Sequence, residues 1–143
     1  MFLRYQDIKM NKEKQLTSGK GEFLYDYKHD ILTFRIRDRD YKMSVEFQNF
    51  AIDIDTENFV TGIRIFDVSK VVGLKKIVFN NLAHGNFEAS IKNNVISIRL
   101  NFVGKLRNRL VPIENFTQQL SAPISPKHHI KDSVVTVPEI VAS

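Results

Sequence analysis

Gly21-Glu-Phe-Leu-Tyr-Asp-Tyr-Lys-His-Asp-Ile-Leu-Thr-Phe-Arg-Ile36 aligns without gaps on Gly85-Asn-Phe-Glu-Ala-Ser-Ile-Lys-Asn-Asn-Val-Ile-Ser-Ile-Arg-Leu100, and this pair of stretches decides the fold. The identical pairs are Gly21/Gly85, Phe23/Phe87, Lys28/Lys92 and Arg35/Arg99; Ile31/Val95, Leu32/Ile96, Thr33/Ser97, Phe34/Ile98 and Ile36/Leu100 are conservative. With a two-residue shift, Val45 to Phe50 continues the match onto Val111 to Phe116. Internal repeats of this kind set the organisation of a chain before its local structure is read. They predict an N-terminal arm at 1–20, a single β domain at 21–121 made of two pseudo-repeats (21–80 and 81–121), and a C-terminal tail at 122–143.

Each copy reads as a β-hairpin. Apolar residues alternate on both sides of a short polar break, the pattern of half-buried strands. A two-residue type I′ loop needs positive φ at both central positions, and His29-Asp30 and Asn93-Asn94 are residue types that tolerate it. That loop would set Tyr27 opposite Leu32, Tyr25 opposite Phe34 and Phe23 opposite Ile36 in the first copy. In the second it would set Ile91 opposite Ile96, Ala89 opposite Ile98 and Phe87 opposite Leu100, with Glu88 across from Arg99 on the other face.

Outward from the hairpins, further strands are expected at Met43 to Phe47, Ala51 to Asp55, Val60 to Phe66 and Lys75 to Asn80. Asp67-Val68-Ser69 offers an N-cap to a short helix ending at Val72 before Gly73. Beyond Gln118 the pattern fades into Ser-Ala-Pro-Ile-Ser-Pro-Lys-His-His, a loop composition, and Pro138 limits any edge strand at Val134 to Val137. The expected class is mainly β: antiparallel hairpins and a meander with one short helix.

Composition narrows the chemistry. The chain has 143 residues, 43% hydrophobic and 26% charged, and no cysteine. Disulfides and thiolate chemistry are excluded, and the length suffices for one core. No stretch approaches the roughly 20 apolar residues of a membrane helix, and Met1 to Met10 carries Arg4, Asp7 and Lys9 where a signal peptide would be apolar. A cytoplasmic protein is expected. The net charge of +5 is uneven: residues 21–80 carry nine Lys/Arg against ten Asp/Glu, whereas 81–121 carry five against two. Such asymmetry suits a charged partner or the association of unlike surfaces.

Tyr25-Asp26, Asp30-Ile-Leu-Thr-Phe-Arg35, Ile52-Asp-Ile-Asp55 and Gly62-Ile-Arg-Ile-Phe-Asp-Val-Ser-Lys70 occur in an order that resembles domain-of-unknown-function family 2283, short prokaryotic domains. The resemblance covers Tyr25 to about Lys70, with a partial second copy after Lys75 that lacks the Asp-x-Asp and Gly-Ile-x-Ile elements. Asn58 stands where the family pattern has a loop glycine. The resemblance implies a small β-meander with a short helix and brings no reaction; some relatives look like partners in toxin and antitoxin gene pairs.

Candidate chemistry is sparse. Asp53, Asp55 and Glu57 alternate and would share a face on a regular strand, where oxygens bind divalent cations; the simpler reading is solvation of a strand end. His128-His129 are neighbours that point apart on an extended chain. Arg35, Arg37 and Arg39 alternate, but Asp38 and Asp40 interleave them. Arg99, Lys105, Arg107 and Arg109 form the basic stretch of the second half, where phosphates or an acidic partner would be met. No catalytic, cofactor or metal residue is assigned. The leading expectation is a non-enzymatic interaction module that self-associates as a homo-oligomer or binds a protein partner, antitoxin-like if the family hint applies. The alternative is a nucleic-acid-binding domain using the basic residues of 99–109, and an enzyme using Asp53 and Asp55 comes third.

Overall fold

A computed structural model describes the backbone of residues 21–106, 109–111 and 117–137, and the side chains of these up to Gly104 and from Gln118. The arm at 1–20 and most of Val111 to Phe116, the continuation of the repeat, lie outside the described residues. Five strands, β1 (Gly21–Asp26), β2 (Ile31–Ile36), β3 (Tyr41–Glu46), β4 (Phe50–Asp55) and β5 (Val60–Ile65), form one antiparallel sheet in the order β1-β2-β5-β4-β3. Two short helices, α1 (Val68–Val72) and α2 (Lys76–Phe79), lead to the second sheet. There β6 (Leu82–Lys92), β7 (Val95–Leu106), β8 (Arg109–Val111), β9 (Thr117–Pro123) and β10 (Ser133–Val137) follow the order β10-β6-β7-β8, with β9 also pairing β7. The expected mainly β, antiparallel class holds.

Alternation of side chains explains why two sheets are needed. Leu32, Phe34, Ile52, Ile54, Ile63 and Ile65 leave one face of the first sheet wholly apolar, and each is at most 1% exposed. Phe87, Ala89, Ile96, Ile98, Leu100 and Phe102 do the same for the second. The faces join in one core, in which the Phe34 and Phe87 rings meet edge to face at 5.8 Å. Phe23 packs on Phe34 at 4.5 Å, and Phe79 bridges Tyr25 at 5.5 Å and Phe102 at 5.9 Å. Phe23 and Tyr25, expected inside, are half-buried against that core.

The two hairpins differ at their turns. The second forms as expected: Asn93 (φ 53°) and Asn94 (φ 61°) make the two-residue loop, and Ile91 opposes Ile96, Ala89 opposes Ile98 and Phe87 opposes Leu100. The first does not. Its loop is the four residues Tyr27 to Asp30, and the register is Tyr25 opposite Leu32 and Phe23 opposite Phe34. Only Asp30 takes positive φ (57°), and the Asp26 carboxylate closes the longer loop by accepting the His29 amide at 3.0 Å. A slip of two residues leaves every side chain on its expected face, because the strand period is two.

Two other expectations give way. Lys75 to Asn80 holds the helical turn α2 rather than a strand, with Val78 N–H donating to Lys75 O at 3.0 Å and Phe79 turned into the core. The three apolar residues Ile77, Val78 and Phe79 suit either state, and here burial of Phe79 decides. Residues 122–137 are also part of the fold, not a tail. Strand β10 pairs with β6, burying Val135 and Val137. The segment before it ties to the first sheet: Lys131 N–H donates to Asn58 O at 2.8 Å, and the Ser133 hydroxyl accepts the Val60 amide at 2.8 Å. A register shift in the β4–β5 ladder next to Val60 leaves that amide for a partner outside the sheet.

Phe34 joins both sheets, so Phe34→Ala is expected to lower unfolding free energy by about 3–5 kcal/mol, whereas truncating the half-buried Phe23 costs less. Chemical denaturation of the two variants measures the difference, and equal losses would contradict the central placement of Phe34.

Candidate functional site

The residues that carry the family resemblance converge on two carboxylates. Asp30, 5% exposed, is the last residue of the β1–β2 loop. Its Oδ1 accepts the Tyr25 hydroxyl at 2.7 Å, its Oδ2 accepts the Ser69 hydroxyl at 2.6 Å, and the Ser69 amide lies 3.2 Å from both oxygens. The Asp30 carbonyl accepts the Val68 amide at 3.0 Å. Helix α1 is thus capped by a residue 39 positions earlier in the chain. Asp67, the expected cap, occupies the N-cap position in a left-handed conformation (φ 50°) with no side-chain cap bond; at that φ its role falls to Asp30. Gly73 (φ 78°) ends the helix as expected.

Burial alone would raise the Asp30 pKa, but the hydrogen bonds from the Ser69 hydroxyl, the Tyr25 hydroxyl and the Ser69 amide outweigh it and hold the carboxyl below its usual range. Burial, and then the neighbouring Asp30 charge, push the Tyr25 phenol up, so it stays a donor.

The second carboxylate is Asp55, 1% exposed. One oxygen accepts the amides of Glu57 and Phe59, each at 2.9 Å, and the other takes Arg39 Nε at 2.9 Å and Nη2 at 2.7 Å. Arg39 also bonds Glu57. Asp53 instead accepts the Ser44 hydroxyl at 2.6 Å and lies 3.5 Å from Arg64 Nη2. The alternating carboxylates therefore do not converge on a shared cation position: guanidinium groups, a hydroxyl and backbone amides occupy them. Among the described residues no three of His, Cys, Asp or Glu gather as metal ligands. Asn58, in the family's glycine position, has φ 70°, a region asparagine tolerates better than most residues. Gly62 lies so close to its neighbours that an added Cβ would stand 3.0 Å from Asp53 Oδ2 and 3.2 Å from Phe34 O.

The arginine row of the first half is likewise engaged. Arg35 and Arg37 both donate to Glu22 Oε1, at 2.8 and 2.9 Å. Arg99 stands on the outer face of the second sheet, between Glu88 on β6 (3.7 Å) and Gln119 on β9. It lines an open cavity of ≈ 230 Å³ with Glu88, Ser90, Ser97, Gln119 and Asp132. Lys105 and Arg109 sit far along β7 and on the adjoining β8, where Lys105 opposes Leu110 and Arg109 opposes Leu106. Six residues of strand separate Arg99 from Lys105 by about 20 Å. Arg107 lies outside the described residues, as do the side chains of Lys105 and Arg109. The histidines do not converge either: His29 pairs with Asp26 at 2.8 Å, and His128 and His129 close a 3₁₀ turn at Pro126–His128.

A meander is expected to leave unpaired strand edges, but local sequence does not say which strand provides one. In the first sheet β1 and β3 are outermost; β1 runs against β10, whereas β3 meets no strand on its outer side among the described residues. Along it Tyr41 is 63% exposed, Lys42 and Glu46 are exposed, and Met43, Val45 and Phe47 are half-buried against the core. A bulge between Tyr41 and Met43 ends its regular part. The Tyr41 hydroxyl and Ser44 Oγ lie 2.7 Å apart, joining Asp53 in an exposed polar chain. Local sequence marks β3 as a strand, but strand order, which makes it an edge, depends on β5 inserting beside β2.

Residues 23–69 match the model of a family described as protein of unknown function (DUF2283), in agreement with the resemblance read over Tyr25 to about Lys70. The match stops short of 81–121, where the partial second copy was expected. No curated protein and no solved structure matches the chain. None of the helices among the described residues is long and apolar enough to cross a membrane.

A carboxyl whose folded pKa is depressed contributes stability above its unfolded pKa and loses it as pH falls through the folded value. Unfolding free energy of the parent is therefore expected to drop below about pH 4, and Asp30→Asn to flatten that drop while costing about 1–3 kcal/mol at pH 7. Urea unfolding across this range checks both; an unchanged acid slope would contradict the role given to Asp30.

Proposed function

We propose that this protein is a non-enzymatic interaction module that engages another protein chain by strand addition at β3. The observation that carries this reading is the β3 edge itself, whose outward backbone groups meet no strand among the described residues and lie beside half-buried Met43, Val45 and Phe47. An added strand satisfies the backbone groups and covers the apolar side chains. The engagement of Asp30, Asp53 and Asp55 by hydroxyls, amides and guanidinium groups supports it from the other side. Carboxylates held in this way position backbone and helix.

Nucleic-acid binding through Arg99, Lys105, Arg107 and Arg109 has less support. Arg99 faces Glu88 on a polar sheet face, and the edge-to-face rings Phe34, Phe87, Phe79 and Phe102 are in the core, away from any base.

The test is capture by the full-length protein combined with hydrogen exchange. The amides of Ser44 and Glu46 are expected to exchange freely in dilute protein and to slow by roughly tenfold or more when a captured chain is bound. A captured chain that leaves both amides unchanged would contradict strand addition. So would binding of RNA or DNA that weakens steeply between about 50 and 200 mM salt and is lost with Arg99→Glu.

A further inference from the structure

We infer that the chain filling the β3 edge is a second copy of this protein, paired antiparallel with the first about a twofold axis through Ser44. This deepens the reading of β3 as an interaction edge and depends on it.

The phase of the strand limits the ways two copies can pair. In an antiparallel ladder alternate residues turn their N–H and C=O groups to opposite sides. The Phe47 amide donates to Phe50 O at 2.7 Å, within the β3–β4 hairpin. Counting back from it, Val45 and Met43 face β4, opposite Ile52 and Ile54. Ser44 and Glu46 therefore turn their backbone groups to the open side, and a second copy can add only with even-numbered residues opposite even-numbered residues.

Charge then selects among the registers. An axis at Lys42 sets two lysines opposite each other, and an axis at Glu46 sets two glutamates opposite each other. An axis at Met43 sets Lys42 against Ser44 and leaves Glu46 beyond the end of the ladder, where the Asp40 carbonyl already takes the Thr56 amide, and one at Val45 leaves Glu46 opposite Ser44. Only the axis at Ser44 sets Lys42 against Glu46, and it does so twice. The same register places Met43 against Val45 of the other copy, apolar against apolar on the face that continues the core. Lys42 now reaches the Asn58 side chain at 3.0 Å, an exposed contact that it can exchange for the glutamate. Lys42 is the bulged residue, with no partner on β4, so the ladder ends with it, and a twofold pair uses the same edge on both copies. Pairing at β3 thus closes at two chains, and the five-stranded sheet continues as ten strands across the axis.

Sedimentation equilibrium of the full-length chain tests this. The parent is expected to dimerise within a micromolar range, and Glu46→Lys to weaken the dimer by about tenfold or more, since each dimer then sets like charges opposite twice. Lys42→Glu, carrying the opposite change, is expected to weaken it similarly, and the double variant Lys42→Glu/Glu46→Lys to restore it. Both positions are exposed, so circular dichroism and melting of the single variants should match the parent. A dimer indifferent to either single variant, or not restored in the double variant, overturns the inference. A chain that stays monomeric at about 100 μM also overturns it. If that monomer's Ser44 and Glu46 amides are still protected by another captured protein, the edge keeps its role and only the second copy is wrong; if no chain protects them, both readings fail.

Discussion

The Asp30 carboxylate, nearly closed off from solvent, accepts hydrogen bonds from Tyr25 on β1 and from the hydroxyl and amide of Ser69 on α1. A buried charge is tolerated only when donors surround it, so these three groups must come together for the first sheet to form as it does. That requirement lengthens the β1–β2 loop to four residues and sets its register. It also fixes where the chain leaves β5, because the first turn of α1 is held against the loop through both the carboxylate and the carbonyl of Asp30. From that point the two helices carry the chain across, and Phe79 lands between Tyr25 and Phe102, linking the sheets.

Asp55 performs the corresponding task at the other end of the sheet, receiving two loop amides and the Arg39 guanidinium. The spacing of Tyr25, Asp30, Asp55, Gly62 and Ser69 that carries the family resemblance is accounted for by these contacts. Tyrosine and serine supply donors, aspartates collect them, and Gly62 admits the close approach of Asp53 and Phe34. A signature can be specific without being catalytic when several separated positions must meet to bury one charge.

The apolar alternation of β2, β4, β5, β6 and β7 was legible in the sequence because it is local, and the core lies where that alternation places it. The Asn93-Asn94 turn was legible for the same reason. The His29-Asp30 turn was not: its register is set by Ser69, 39 residues later, and no local rule sees that partner. The same holds for β10, whose Val135 and Val137 look like a limited edge beside Pro138 but pair with β6, and for Ser133, which caps an amide 73 positions away. Of the site, the basic residues stood out by composition, yet Arg99 proves to face Glu88. The β3 edge carried no compositional mark, since edges arise from strand order.

A double-mutant cycle between Asp30→Ala and Ser69→Ala, read by chemical denaturation at neutral pH, tests the central claim most directly. If the carboxylate binds the hairpin loop to α1, the two losses are coupled, and the double variant loses less than the summed single losses by about 1 kcal/mol or more. Losses that add within about 0.3 kcal/mol would contradict it, showing that Asp30 and Ser69 act independently and that the family signature holds the fold by other means.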